Sequence, residues 1–131
     1  MKLLLDTHTL IWSLFNNEKL SSVCALIENK DNDIFVSAAS LWEIEIKNRT
    51  NPKSMPYSAE EIFSILSSYT DYVVLPITPQ HIFGLKQFIE QGIHRDPFDH
   101  LLLSTALSED LVLLTHDETI NKYRGVKLLS F

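Results

Sequence analysis

Cysteine, glycine and positive charge are all scarce in this sequence, and each shortage removes a class of function. Cys24 is the only cysteine, so neither an intrachain disulfide framework nor a thiolate zinc cage can form, and a reducing, cytoplasmic setting is expected. The only glycines are Gly84, Gly92 and Gly125, too few and too scattered for a phosphate-cradling loop. No GxSxG elbow occurs, Cys24 has no histidine beside it, and the five histidines show no HExxH or paired spacing. Nucleophilic hydrolases, nucleotide-binding loops and zinc hydrolases therefore lose ground.

Long apolar runs are missing too. After Lys2 only three leucines pass before Asp6 interrupts them, against the roughly 7–15 apolar residues of an export signal. No stretch approaches the roughly 20 residues of a membrane span, so no membrane association is expected. Eleven Lys and Arg stand against 17 Asp and Glu, giving a net charge of −6. That balance argues against a broad basic face that binds nucleic acid by charge alone.

What is present suits one α/β domain over residues 1–131. Hydrophobic residues make up 45% and charged residues 21%, ordinary for a globular chain of this length. Short apolar segments at 2–5, 33–37, 72–77, 111–115 and 126–129 read as strands. Helical patterns at 7–15, 21–30, 40–49, 58–69, 79–92 and 97–110 alternate with them, which predicts a mainly parallel central sheet. "TNPKSMPYS" (50–58) has two prolines and no periodicity, and reads as a loop between helices.

The carboxylates carry the chemistry. In an open parallel sheet, ligands bind beyond the carboxyl ends of the strands, and Asp6 and Asp117 each follow a predicted strand. Taken singly, the acids read as helix caps. Asp6 precedes a helix, Ser40-x-x-Glu43 has the form of a capping box, and Asp96-Pro97-Phe98-Asp99 reads as N-cap, first-turn proline and first-turn acid. Glu43 also has an i+4 partner in Lys47. Four separate caps have no reason to gather on one sheet edge, however, whereas a hard cation such as Mg²⁺ or Mn²⁺ needs oxygen donors there. First-turn placement of Glu43 and Asp99 would favour their ionised forms.

"LLLDTHTLIW", "VSAASLWEIEIK", "HRDPFDHLLLSTAL" and "LLTHD", in this order and spacing over nearly the full chain, resemble the PIN-domain family, and within it the VapC-type toxin ribonucleases of toxin–antitoxin pairs. The resemblance implies a three-layer α/β/α fold and an Mg²⁺- or Mn²⁺-dependent endoribonuclease that leaves a 5′-phosphate. It implies that Asp6, Glu43, Asp99 and Asp117 are the catalytic, metal-binding acids. Asp96 is then an N-cap standing behind them, with Thr7 and Thr115 as polar supports. It also implies a homodimer and a small antitoxin that inserts a basic segment into the acidic cleft, where an Arg guanidinium can replace metal charge. Two divalent ions would take the net charge from −6 to −2, and Lys47, Arg49, Arg95, Lys122 and Arg124 are candidate RNA phosphate contacts.

Two rivals fit less well. A phosphoacceptor signalling domain wants an acidic pair after the first strand and an Asp after the third, but "LLLDT" has one acid and "VVLPIT" none; His8 likewise stands where DxDx[TV] needs its second Asp. A non-catalytic RNA-binding domain of the same fold is disfavoured by the presence of all four acids.

Overall fold

A computed structural model describes residues 1–131. Its five strands are β1 (Lys2–Leu5), β2 (Asp33–Ser37), β3 (Val73–Leu75), β4 (Val112–Thr115) and β5 (Leu128–Ser130). They form one sheet in the order β3-β2-β1-β4-β5, parallel throughout. The chain builds outward from β1 to β2 and β3, then crosses to the other side of β1 for β4 and β5. The gap between β1 and β4 is therefore the topological switch point where a ligand crevice opens.

β1 is a run of leucines because both of its faces are covered, as parallel sheets require. Leu3, Leu4 and Leu5 are all fully buried. Leu3 and Leu5 point to one side, among Leu10, Ile44, Ile62 and Leu66. Leu4 points to the other, among Phe88, Leu102, Leu103 and Leu113. The first of these layers holds α1 (Thr7–Phe15), α2 (Cys24–Glu28), α3 (Ala38–Thr50) and α4 (Ala59–Tyr69). The second holds α5 (Pro79–Phe83), α6 (Leu85–Ile89) and α7 (Pro97–Ser108). This is the expected three-layer α/β/α arrangement.

Three local expectations need correction. The helix expected at 79–92 is broken at Gly84 into α5 and α6. The helix expected at 21–30 contracts to Cys24–Glu28, preceded by a 3-10 turn at Asn17–Leu20. α3 starts earlier than its capping-box pattern suggested, because Ser37 at the end of β2 is its N-cap and accepts from the Ala39 N–H at 3.0 Å. Ser40 thus lies inside the helix, and Glu43 lies in its second turn rather than its first.

Candidate metal centre

Asp6 sits at the junction of β1 and α1 and is only 5% exposed. Its Oδ1 caps α1 by accepting from the Thr9 N–H at 2.8 Å. Its Oδ2 accepts from the Thr115 hydroxyl at 2.5 Å, which ties the carboxyl end of β1 to that of β4. Thr115 Oγ1 also accepts from the Asp117 N–H at 3.0 Å. Asp117 Oδ1 in turn accepts from Thr119 N–H at 2.7 Å and Ile120 N–H at 3.2 Å, which ties it to the entry of the 3-10 turn at Ile120–Lys122. The Thr7 hydroxyl donates to Ser40 Oγ at 3.0 Å, a buried link between α1 and α3.

From α7, Asp96 caps the helix and Pro97 takes its first position, as the sequence suggested. Asp96 Oδ1 accepts from Phe98 N–H at 2.9 Å and Asp99 N–H at 3.4 Å. From α3, Glu43 Oε2 pairs with Lys47 Nζ at 3.3 Å. Asp6, Glu43, Asp96, Asp99 and Asp117, with Thr7 and Lys47, line one cavity of about 100 Å³ at the switch point. Four stretches far apart in sequence thus place carboxylates around one small polar space.

Histidine is what a reading confined to the acids missed. His94 Nε2 meets Asp99 Oδ2 at 2.7 Å, its Nδ1 meets the Tyr123 hydroxyl at 2.6 Å, and that hydroxyl meets His100 Nε2 at 3.0 Å. With Asp99 ionised, one direction of donation satisfies every member. His100 donates to Tyr123, Tyr123 to His94, and His94 to Asp99. The signal was in view, since "HRDPFD" opens with His94, but the partner Tyr123 lies 29 residues on. Burial, reinforced by the charges of Asp96 and Asp117, pushes the Asp99 carboxyl up to about 6 against the His94 hydrogen bond. Burial also pushes the His100 imidazole down and the Tyr123 phenol up.

The basic candidates divide. Lys47 lines the carboxylate cavity. Arg49 is instead held by Glu45 at 2.7 Å, and Glu45 also accepts from the Ala59 N–H at the start of α4. Arg95 lines a different cavity beside His94 and His100.

The donor set fits a hard divalent cation. Donor atoms of His94, Asp96 and Asp99 fall within 4.8 Å of one another. Both His94 nitrogens already have partners, however, so the imidazole serves to hold Asp99. The acids offer oxygen alone, the chemistry that suits Mg²⁺ or Mn²⁺ rather than softer ions. Each ionised carboxylate has about four lone-pair sites, so the hydrogen bonds at Asp6 and Asp117 leave acceptor capacity for an ion.

A family model described as PIN domain matches residues 3–126. A search of curated proteins finds no match. Among solved structures, the chain is similar to VapBC2 from Rickettsia felis bound to a promoter DNA fragment, at 16% identity and TM-score 0.74, covering 99% of this chain and 98% of that one. It is similar to DNA-bound VapBC from Salmonella typhimurium at 20% identity and TM-score 0.71, again over 99% and 98%. VapBC-5 from Mycobacterium tuberculosis, described as a member of the VapBC family of toxin-antitoxin systems, matches at 17% identity and TM-score 0.63 over the same shares. With the fold, the switch-point carboxylates and a family match over nearly the whole chain in agreement, the protein belongs to the PIN domain family.

Proposed function

We propose that this protein is a VapC-type toxin, an endoribonuclease dependent on Mg²⁺ or Mn²⁺ and restrained by a small antitoxin. The observation that carries the reading is the convergence of Asp6, Glu43, Asp99 and Asp117 on one polar cavity from β1, α3, α7 and the end of β4. These four would hold the metal. Such an ion, when bound, supplies Lewis-acid activation of the attacking water and neutralises charge on the phosphodiester.

The chain's own residues set the geometry. Thr115 and the Thr9 N–H hold the two oxygens of Asp6 in place, and His94 does the same for one oxygen of Asp99. Thr7 and Ser40 lock α1 to α3 beside them. Lys47 is the cation of the cavity and the best-placed side chain to meet an RNA phosphate. An antitoxin is supported by the similarity to VapBC-5, described as a member of a family of toxin-antitoxin systems. An inserted Arg would meet the same carboxylates through bidentate hydrogen bonds. A homodimer is the assembly that the family resemblance implies.

The test is cleavage of RNA by purified protein with Mg²⁺, with Mn²⁺ and with chelator, run beside Asp6→Asn. Asparagine keeps an oxygen for the Thr9 cap but turns its NH₂ toward the Thr115 hydroxyl, so a loss of activity at an unchanged melting temperature reports the missing charge. Metal-dependent cleavage that Asp6→Asn abolishes is expected. Cleavage indifferent to chelator or to the substitution sinks the reading. Co-expression with the neighbouring small open reading frame should yield an inhibited complex, and inhibition that survives replacement of every Arg and Lys in the inserted segment overturns the plugging mechanism.

A further inference from the structure

A second cavity, of about 240 Å³, adjoins the carboxylate centre and shares Asp6, His8 and Asp117 with it. Its remaining walls are Trp12 and His116, so three of its five lining residues carry planar rings. α1 supplies one wall, because His8 and Trp12 are four apart on one helix face. Their ring centroids lie 5.9 Å apart with the planes 26° from parallel. The end of β4 supplies the other wall, where the His116 ring meets Trp12 edge-on at 5.6 Å. Phe131 backs both rings, at 6.3 Å from Trp12 and 4.8 Å from His116. A backbone oxygen of Phe131 pairs with His116 Nδ1, which leaves Nε2 for another partner.

Packing accounts for the place of Trp12, which is half-buried against the core. It does not account for His8, an exposed residue, and leaves the Nε2 edge of the exposed His116 without a partner. A phosphodiester lying over Asp6 and Asp117 brings the base of the same nucleotide to within one sugar of these rings. Every unpaired base has a π-face that stacks on an aromatic side chain, and imidazole nitrogens can donate to or accept from its edge. A net charge of −6 makes attraction to phosphate a weak source of affinity, which leaves stacking as the stronger one.

We infer that this cavity is a base-binding subsite: the unpaired base next to the scissile phosphate of a single-stranded RNA enters it, stacks on Trp12 and is held at its edge by His8 and His116. The inference rests on the ribonuclease reading, but one arm of its test does not need cleavage. Trp12 and Trp42 are the only tryptophans, so Trp42→Phe leaves Trp12 as the sole indole reporter. With Ca²⁺ present to neutralise the carboxylates, a single-stranded RNA trinucleotide should quench Trp12 emission, and the same trinucleotide with abasic sugars should not. On a cleavable RNA, Trp12→Leu and His116→Ala should each raise KM by roughly 5- to 150-fold with kcat unchanged, and Trp12→Phe should recover most of the loss. His116→Ala keeps this arm decisive if Trp12→Leu fails to fold, since its side chain lies at the surface.

Base-dependent quenching without any cleavage supports the subsite and sinks the nuclease reading. Cleavage with equal quenching by normal and abasic RNA, or with no quenching by either, overturns the subsite alone. Lower kcat at unchanged KM overturns it by placing these side chains in the chemistry, and quenching seen only with the co-expressed antitoxin gives the cavity to that partner instead.

Discussion

Asp99 bears the cost of gathering buried acids in one place. Its carboxyl, pushed by burial to about 6 from the ordinary 3.8, ionises less readily in the folded chain than in the unfolded one. Below the ordinary value both states hold the proton and no penalty exists. As pH rises through the window from about 4 to about 6 the unfolded state loses its proton first, so stability falls, and above that window the whole penalty is present. A gap of this size corresponds to at most about 3 kcal/mol. In chelator, the stability of Asp99→Asn relative to wild type should therefore rise by up to that amount between pH 4 and pH 7, measured by denaturant unfolding. Parallel pH profiles for the two proteins would remove Asp99 as the source of the strain. Asp96, three residues earlier, has a different duty, since its Oδ1 holds two N–H groups of α7. Asp96→Ala should cost about 1 kcal/mol, while Asp96→Asn, which keeps the accepting oxygen, should cost little. A thermal melt of the two variants separates capping from charge.

At the scale of elements, Gly84 shows where a sequence pattern and a fold part company. "PQHIFGLKQFIEQG" has helical periodicity throughout, yet α5 ends at Phe83 and α6 begins at Leu85. Gly84 has an ordinary negative φ, so conformational freedom is not what it provides; a Cβ there would land on the Ser104 hydroxyl. That hydroxyl is fixed by donating to the His81 carbonyl at 2.5 Å, so α5 can pack on α7 only at a residue without a side chain. Gly84→Ala should cost roughly 1–3 kcal/mol as an overpacked contact, and Ser104→Ala in the same chain should recover part of it. Strict additivity of the two changes in a double-mutant cycle would count against the clash. The need for glycine was illegible because it is set by a residue twenty positions away. β1, by contrast, was legible from its three leucines because both faces are buried, and the start of α7 from Asp96 and Pro97 because capping is local. Asp6 and Asp117 could be placed together because each follows a strand in a parallel sheet. The role of Ser37 was hidden by a better-looking cap at Ser40, and His94 by a tertiary partner in Tyr123.

For the molecule as a whole, the site lies where elements of both helical layers meet the edge of the sheet. α1, α3, α7 and the end of β4 meet at the switch point, and each brings a carboxylate. Repulsion among these acids works against the native state when no cation is present, and a cation that binds only the native state reverses this by mass action. On the proposed reading, Mg²⁺ or Mn²⁺ at a concentration 100 times its Kd should contribute about 2.7 kcal/mol, a rise on the order of 10 °C in Tm for a chain of this size. Asp6→Asn and Asp117→Asn should blunt that rise, and a rise in both variants equal to that of wild type would move the ion elsewhere. Lys47 already places its ammonium in the cavity, 3.3 Å from Glu43. An ion entering beside it meets a like charge, so Lys47 both tempers the empty site and opposes its filling. Lys47→Met removes the ammonium and keeps most of the stem. The variant should therefore melt lower than wild type in chelator, yet show a larger increase in Tm across the same metal titration. If its metal-free melt matches wild type and its titration curve overlays that of wild type, Lys47 lies outside the field of the four carboxylates, and its pairing with Glu43 is an ordinary i,i+4 contact on α3.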